Sequence, residues 1–181
     1  MKNRLASLLS AFSIATMLHL HSAVAQETGM QAPTAEKATK SDHEFVTKAL
    51  EGGKAEVKLG KLANEKASRE DVKQFGQRMV TDHGKADSEL ESLAKKKGIA
   101  VPEQLNAKDS KRFDKLSKLS GASFDKAYIA EMVEDHQHDV AEFEKAATKL
   151  HDPELKAWVE KTLPVLKSHL ENITAIKNAK K

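Results

Sequence analysis

The sequence predicts an all-α fold, a ferritin-like four-helix bundle with a long crossover between its second and third helices. Three observations carry that expectation. Four long segments repeat apolar residues at alternating steps of three and four, a spacing that keeps one helix face inward. Start and stop residues bracket those segments. The pentapeptide Met79-Val80-Thr81-Asp82-His83 recurs as Met132-Val133-Glu134-Asp135-His136, and more loosely as Val165-Leu166-Lys167-Ser168-His169, each time with a histidine on the inward stripe.

Residues 1–25 read as a secretory signal. Lys2 and Arg4 supply the charged start, Leu5 to Leu20 is mostly apolar, and Ala23-Val24-Ala25 offers small residues for cleavage. The mature chain then begins at Gln26 and is expected in the periplasm. Residues 26–40 contain Gly29 and Pro33 without periodicity and read as a flexible tether. The bundle is expected over 41–178, followed by a basic tail at 179–181.

Ser41 followed by Glu44 has the form of a capping box that starts the first helix. Its stripe is Phe45, Ala49, Gly52, Glu56, Leu59 and Ala63, ending near Lys66. Gly52 and Gly53 each cost on the order of 1 kcal/mol inside a helix, and close approach of a neighbouring helix would compensate. Ser68 with Asp71 starts the second helix, whose stripe is Val72, Gly76, Met79, His83, Ala86, Leu90 and Leu93 before Gly98 stops it. Ile99 to Ser120 forms the crossover, with a short amphipathic piece around Phe113, Leu116 and Leu119.

The third bundle helix, Ala122 to Lys149, turns Ile129, Met132, His136, Val140, Phe143, Ala147 and Leu150 inward. Asp152 as cap and Pro153 at the first helical position open the fourth, because proline lacks an amide hydrogen that would be unpaired there anyway. Its stripe is Leu155, Val159, Thr162, Leu166, His169, Ile173 and Ile176, with Trp158 as a core-edge anchor and a kink expected at Pro164.

At 1.5 Å per residue, Glu56, His83, His136 and His169 lie roughly 20–25 Å from the start of their helices, so all four share one layer near mid-height. Ferritin-like di-iron proteins use Glu-x-x-His pairs. Here Val80, Val133 and Leu166 stand three residues before the histidines, so no di-iron centre is expected. One carboxylate and three imidazoles suit a single transition-metal ion such as zinc, iron, manganese or copper. Met79 and Met132, one turn before His83 and His136, would favour Cu(I) as ligands, and otherwise fill the core. The same Glu and His set also fits a buried network that only fixes which helix faces meet.

Asp82 and Asp135 each lie about 100° around the helix from the adjacent histidine, so each either holds a histidine of a neighbouring helix or stands exposed beside lysines. Tyr128 borders the same face, either bonding into the pocket or packing with its hydroxyl toward water. His43, His138 and His151 receive no role.

The chain has no cysteine, so neither disulfides nor thiolate ligands contribute. Loss of Lys2 and Arg4 with the signal leaves 28 of the 30 basic residues against 27 acidic ones, a near-neutral balance. Without a basic stripe and interleaved aromatics, nucleic acid is not an expected partner. No segment after the signal approaches the roughly 20 apolar residues of a membrane span. An outer-membrane barrel, with its alternating strands and aromatic girdles, is not expected from the helical spacing and the 4% aromatic content.

Taken together, Phe45-Val46, Glu56-Val57 with Leu59-Gly60 and Leu62-Ala63, Met79-Val80 with Asp82-His83, Phe124-Asp125 with Tyr128, and Leu163-Pro164 with Leu166 and His169-Leu170 form a recognisable pattern. It resembles the domain of unknown function 4142 family of exported bacterial proteins, often labelled outer-membrane proteins. The resemblance covers residues 41–177 and implies a ferritin-like bundle, a periplasmic location and pattern positions at Glu56, His83, His136 and His169. It implies no activity. Three readings follow: a periplasmic metal-binding protein acting in metal handling or stress, a noncatalytic envelope-stress or interaction module, and an oxidoreductase using a mononuclear metal.

Overall fold

The computed structural model describes residues 38–179, and the expected signal peptide and most of the expected tether lie outside them. Among the described residues the chain forms five helices and no strand: α1 (Lys40–Lys66), α2 (Glu70–Lys96), the short α3 (Ala107–Ser117), α4 (Gly121–Lys149) and α5 (Pro153–Asn178). None of these helices is long and apolar enough to cross a membrane.

Two helix starts differ from expectation. Thr39, not Ser41, caps α1: its hydroxyl accepts from the Asp42 amide at 3.2 Å, and the Asp42 carboxylate accepts from the Thr39 amide at 2.8 Å. Ser41 lies inside the first turn, where its hydroxyl meets that of Thr39 at 2.8 Å. Ser68 does not cap α2 either. The buried Asp125 carboxylate of α4 accepts from its hydroxyl, from its amide at 3.1 Å and from the Arg69 amide at 3.1 Å. A single charge from across the bundle thus holds the α1–α2 turn, and its three charge-assisted bonds outcompete a local cap.

The remaining boundaries follow local chemistry. Asp152 accepts from the Glu154 and Leu155 amides at 3.0 Å and Pro153 opens α5, as the sequence predicts. Gly98, with φ of 68°, ends α2 as expected, while the Ile99 amide bonds back to the Ala94 carbonyl at 2.8 Å and Ile99 itself is buried. α5 continues as helix through Pro164.

The long helices pair in antiparallel fashion, as the cross-contacts show. Gly60 meets Gly76 and Gly53 meets Asp87 between α1 and α2. Asp82 meets His169 and Glu89 meets Lys161 between α2 and α5, and Phe45 meets Phe143 and Glu56 meets His136 between α1 and α4. α2 and α4 therefore run the same way, so residues 97–120 must return along the bundle, and α3 lies on that path against α1 and α4. Of the two glycines expected at a close helix approach, Gly53 faces the Asp87 side chain of α2 and Gly52 meets nothing within 4 Å, while the tightest backbone approach lies at Gly60, where a Cβ would be 2.5 Å from the Gly76 carbonyl oxygen.

Along the first half of α1 the inward face is Val46, Leu50 and Gly53, with Phe45, Ala49 and Gly52 half-buried beside it. The stripe rotates by one residue because Gly53, which leaves room for the Asp87 side chain, is the glycine that must face α2. Burial then divides into two apolar clusters. One gathers Leu59, Phe75, Met79, Phe124, Tyr128 and Met132; the other gathers Leu50, Leu90, Phe143, Leu155, Trp158 and Leu166. Trp158 is buried within the second rather than at its edge, between Phe45 and Phe143.

Candidate metal centre

Between the two apolar clusters lies a layer to which each long helix contributes one residue: Glu56, His83, His136 and His169. All four are buried, His136 and His169 completely. The ring centroids of the histidines lie 5.3–5.8 Å apart. Phe75 closes the layer on one side, its ring edge-to-face with His136 at 5.9 Å and with His169 at 6.4 Å.

Hydrogen bonds fix the tautomer of two imidazoles. His136 Nδ1 lies 2.9 Å from the Met132 carbonyl oxygen one turn earlier. A carbonyl only accepts, so Nδ1 carries a proton, and in the neutral ring the lone pair falls on Nε2. His169 Nε2 lies 2.8 Å from Asp82 Oδ2. Burial raises the Asp82 carboxyl, but the bonds from His169 and Arg78 outweigh it and keep the group ionised below the usual range. His169 therefore donates from Nε2 and keeps a lone pair on Nδ1. Burial, opposed by the Asp82 bond and reinforced by His83, His136 and Arg78, brings the His169 imidazolium down to about 4, so the ring is neutral at pH 7.

Glu56 supplies the counter-charge. Its Oε2 lies 2.8 Å from His83 Nε2, outside the direction of a hydrogen bond, and its Oε1 lies 3.4 Å from His136 Nδ1. Burial raises this carboxyl, yet the facing histidines, His83 first, hold it well below the usual carboxylate range. Burial likewise lowers His83, but the Glu56 charge dominates and the net shift is upward.

Five buried polar atoms in this layer have no hydrogen-bond partner: both Glu56 oxygens, His83 Nε2, His136 Nε2 and His169 Nδ1. Buried polar atoms are nearly always paired, so this concentration of unbonded donors and acceptors leaves the layer able to take a ligand. One ring nitrogen from each histidine falls within 4.8 Å of the others. In a triangle of that size the centre is about 2.8 Å from each corner, so drawing each nitrogen in by about 0.7 Å reaches the bond length of a zinc–imidazole contact. The donor set therefore fits one transition-metal ion. Glu56 lies beside the triad and does not join that set of nitrogens.

The other expected positions divide. Asp82 holds a histidine of a neighbouring helix, as its spacing allows, while Asp135 instead pairs with Arg112 of α3. The guanidinium, which also reaches Asp109 and Glu131, attracts Asp135 more strongly than a neutral ring would. Tyr128 does not turn its hydroxyl to water: it is fully buried, stacked on Phe124 at 5.5 Å, with no partner for the oxygen. Met79 and Met132 pack in the first apolar cluster, and Met132 serves the layer through its backbone carbonyl.

Sequence reasoning missed two acids near the layer. Burial pushes the Asp87 carboxyl up to about 7, and burial together with the Glu56 and Asp135 charges pushes Asp139 well above its usual value. The signal was available: Asp87 stands four residues after His83 and Asp139 three after His136, spacings that place each on its histidine's face.

The molecule is thus a helical bundle crossed by a buried histidine layer. The chain belongs to the domain of unknown function (DUF4142) family, which it matches over residues 27–176. No curated protein matches it. Two solved structures share its fold. A DUF305 fragment from Deinococcus radiodurans is 14% identical with a TM-score of 0.68, covering 78% of this chain and 97% of that one. CopM in its Cu(I)-bound form is 14% identical with a TM-score of 0.62, covering 74% of this chain and 93% of that one.

Proposed function

We propose that this protein binds a single transition-metal ion through His83, His136 and His169 and acts in metal handling in the periplasm, after cleavage behind Ala25. The observation that carries the reading is the convergence of ring nitrogens from three helices, with lone pairs on His136 Nε2 and His169 Nδ1 set by Met132 and Asp82. Asp82 acts on the ion through His169, in the carboxylate–histidine–metal arrangement that fixes ring direction and raises ligand basicity. Glu56 balances the charge and is the nearest carboxylate for a fourth ligand. The helix directions, with α2 and α4 parallel across a long connection, support a ferritin-like arrangement, in which ligands project from facing helices into the core.

Imidazole donors suit zinc, copper and iron. The Cu(I)-bound form of CopM, a protein of similar fold, makes copper the first ion to test. Elemental analysis of the untagged mature protein from the periplasm, beside a His83→Ala/His136→Ala variant, decides the matter. Near-stoichiometric metal in the wild type that disappears in the variant is the expected result. A metal-free wild type that gains no thermal stability from added copper, zinc, iron or manganese would overturn it. That outcome favours the second reading, a layer that only sets helix packing, for which the opposed charges of Glu56 and His83 supply the physical basis.

A further inference from the structure

An ion bound by the three histidines must cross the helix shell, because His83, His136, His169 and Glu56 are all buried. Two seams of the bundle are closed near this level. Between α1 and α2, Gly60 and Gly76 touch through their backbones and the Asp87 side chain fills the space over Gly53. Between α2 and α5, Asp82 meets His169 and Arg78 donates to the Ser168 hydroxyl at 3.0 Å.

The α1–α4 seam is different. A groove of about 650 Å³ opens there, with the start of α3 on its rim, and it runs inward past Gly52 and Asp139 to Glu56. Glu56 thus belongs both to the groove wall and to the histidine layer, with Oε2 2.8 Å from His83 Nε2. One turn before Glu56, Gly52 leaves the floor bare, since a Cβ there would meet no atom within 4 Å. The lining carries the acids Glu44, Asp139 and Glu142 beside Lys48, Arg112 and Lys145, so an entering cation meets carboxyl oxygens as well as basic groups on the way to Glu56.

We propose that the groove between α1 and α4 is the path by which a transition-metal cation reaches the three histidines, with Gly52 keeping it open and Glu56 passing the ion to His83. This rests on the metal-binding reading above. Gly52 differs in role from Gly60 and Gly76: it serves passage, and they serve packing. A side chain at Gly52 fills the route without displacing a neighbour, so entry then requires the helices to part first.

The test follows uptake of Zn²⁺ and of Cu⁺, each delivered from a chromophoric chelator to the metal-free mature chain. Wild type, Gly52→Ala, Gly52→Leu and a matched control, Gly84→Leu, are compared; Gly84 on α2 also has nothing within 4 Å of a built Cβ but lies outside the groove. All four are expected to reach the same final occupancy. Uptake by Gly52→Leu should be slower by about tenfold or more, because a conformational step now precedes binding. Gly52→Ala should fall between, and Gly84→Leu should match wild type. Glu142→Trp, which fills the groove from the α4 wall, gives the same reading should Gly52→Leu fail to fold. Wild-type uptake rates in the plugged variants would overturn the path, and so would a lowered final occupancy in Gly52→Leu, which would assign Gly52 to the site itself. A wild type that takes up neither ion would instead remove the metal-binding reading, and the path with it.

Discussion

Replacing glycine by alanine at four helical positions makes opposite demands on the fold, and the structure gives the sign of each. In a helix interior the change by itself gains about 1 kcal/mol. At Gly60 the new Cβ would lie 2.5 Å from the Gly76 carbonyl oxygen, and at Gly76 it would lie 2.7 Å from the Ala63 Cβ and 2.8 Å from the Gly60 oxygen. Ordinary contact begins at 3.4 Å, so α1 and α2 must part by about 0.9 Å in the first variant and about 0.7 Å in the second. Backbone atoms have no rotamer by which to escape, which puts the overpacking cost at the upper end of about 1–3 kcal/mol. The net expectation is a loss of about 1–2 kcal/mol for Gly60→Ala and Gly76→Ala. Gly52→Ala and Gly84→Ala, with open space around the new carbon, should gain about 0.5–1 kcal/mol. Urea unfolding of the metal-free mature chain followed by circular dichroism, with slopes checked to be equal, measures all four. Gly60→Ala and Gly76→Ala variants as stable as Gly84→Ala would show that the seam is not backbone-tight. The point bears on function, because this seam holds His83 within 2.8 Å of Glu56.

Asp82→Asn weakens the acceptor that orients His169, and metal affinity should fall about 10–100-fold with occupancy retained at saturating metal, as read by chelator competition. Asp125→Ala removes the acceptor for two backbone amides and the Ser68 hydroxyl in the α1–α2 turn; a loss of about 1–3 kcal/mol is expected in chemical denaturation. Asp87 is protonated in the folded chain up to about pH 7 and ionised in the unfolded chain above about 4, so between those values the native state binds more protons and stability falls as pH rises. Asp87→Asn should abolish that component, and an unchanged pH profile in the metal-free variant would count against a raised Asp87 carboxyl.

The features legible in the chain are local. Alternating steps of three and four place the four long helices, Gly98 ends one because only a left-handed residue closes that turn, and Asp152 with Pro153 starts another by pairing or removing amides within three residues. Mid-height positions on those stripes bring Glu56 and three histidines to one layer, since helical rise is uniform. Features that depend on helix rotation and on partners distant in sequence emerge only when the helices pack. Val46 and Gly53 face inward rather than Phe45 and Gly52 because a stripe of this width tolerates a rotation of one residue until Asp87 packs on Gly53. Ser68 gives its bonds to Asp125, Asp135 turns to Arg112 and Asp82 to His169. Each of these side chains could satisfy its charge or hydrogen bond in more than one way, and the choice fell to whichever group from another helix arrived within bonding distance.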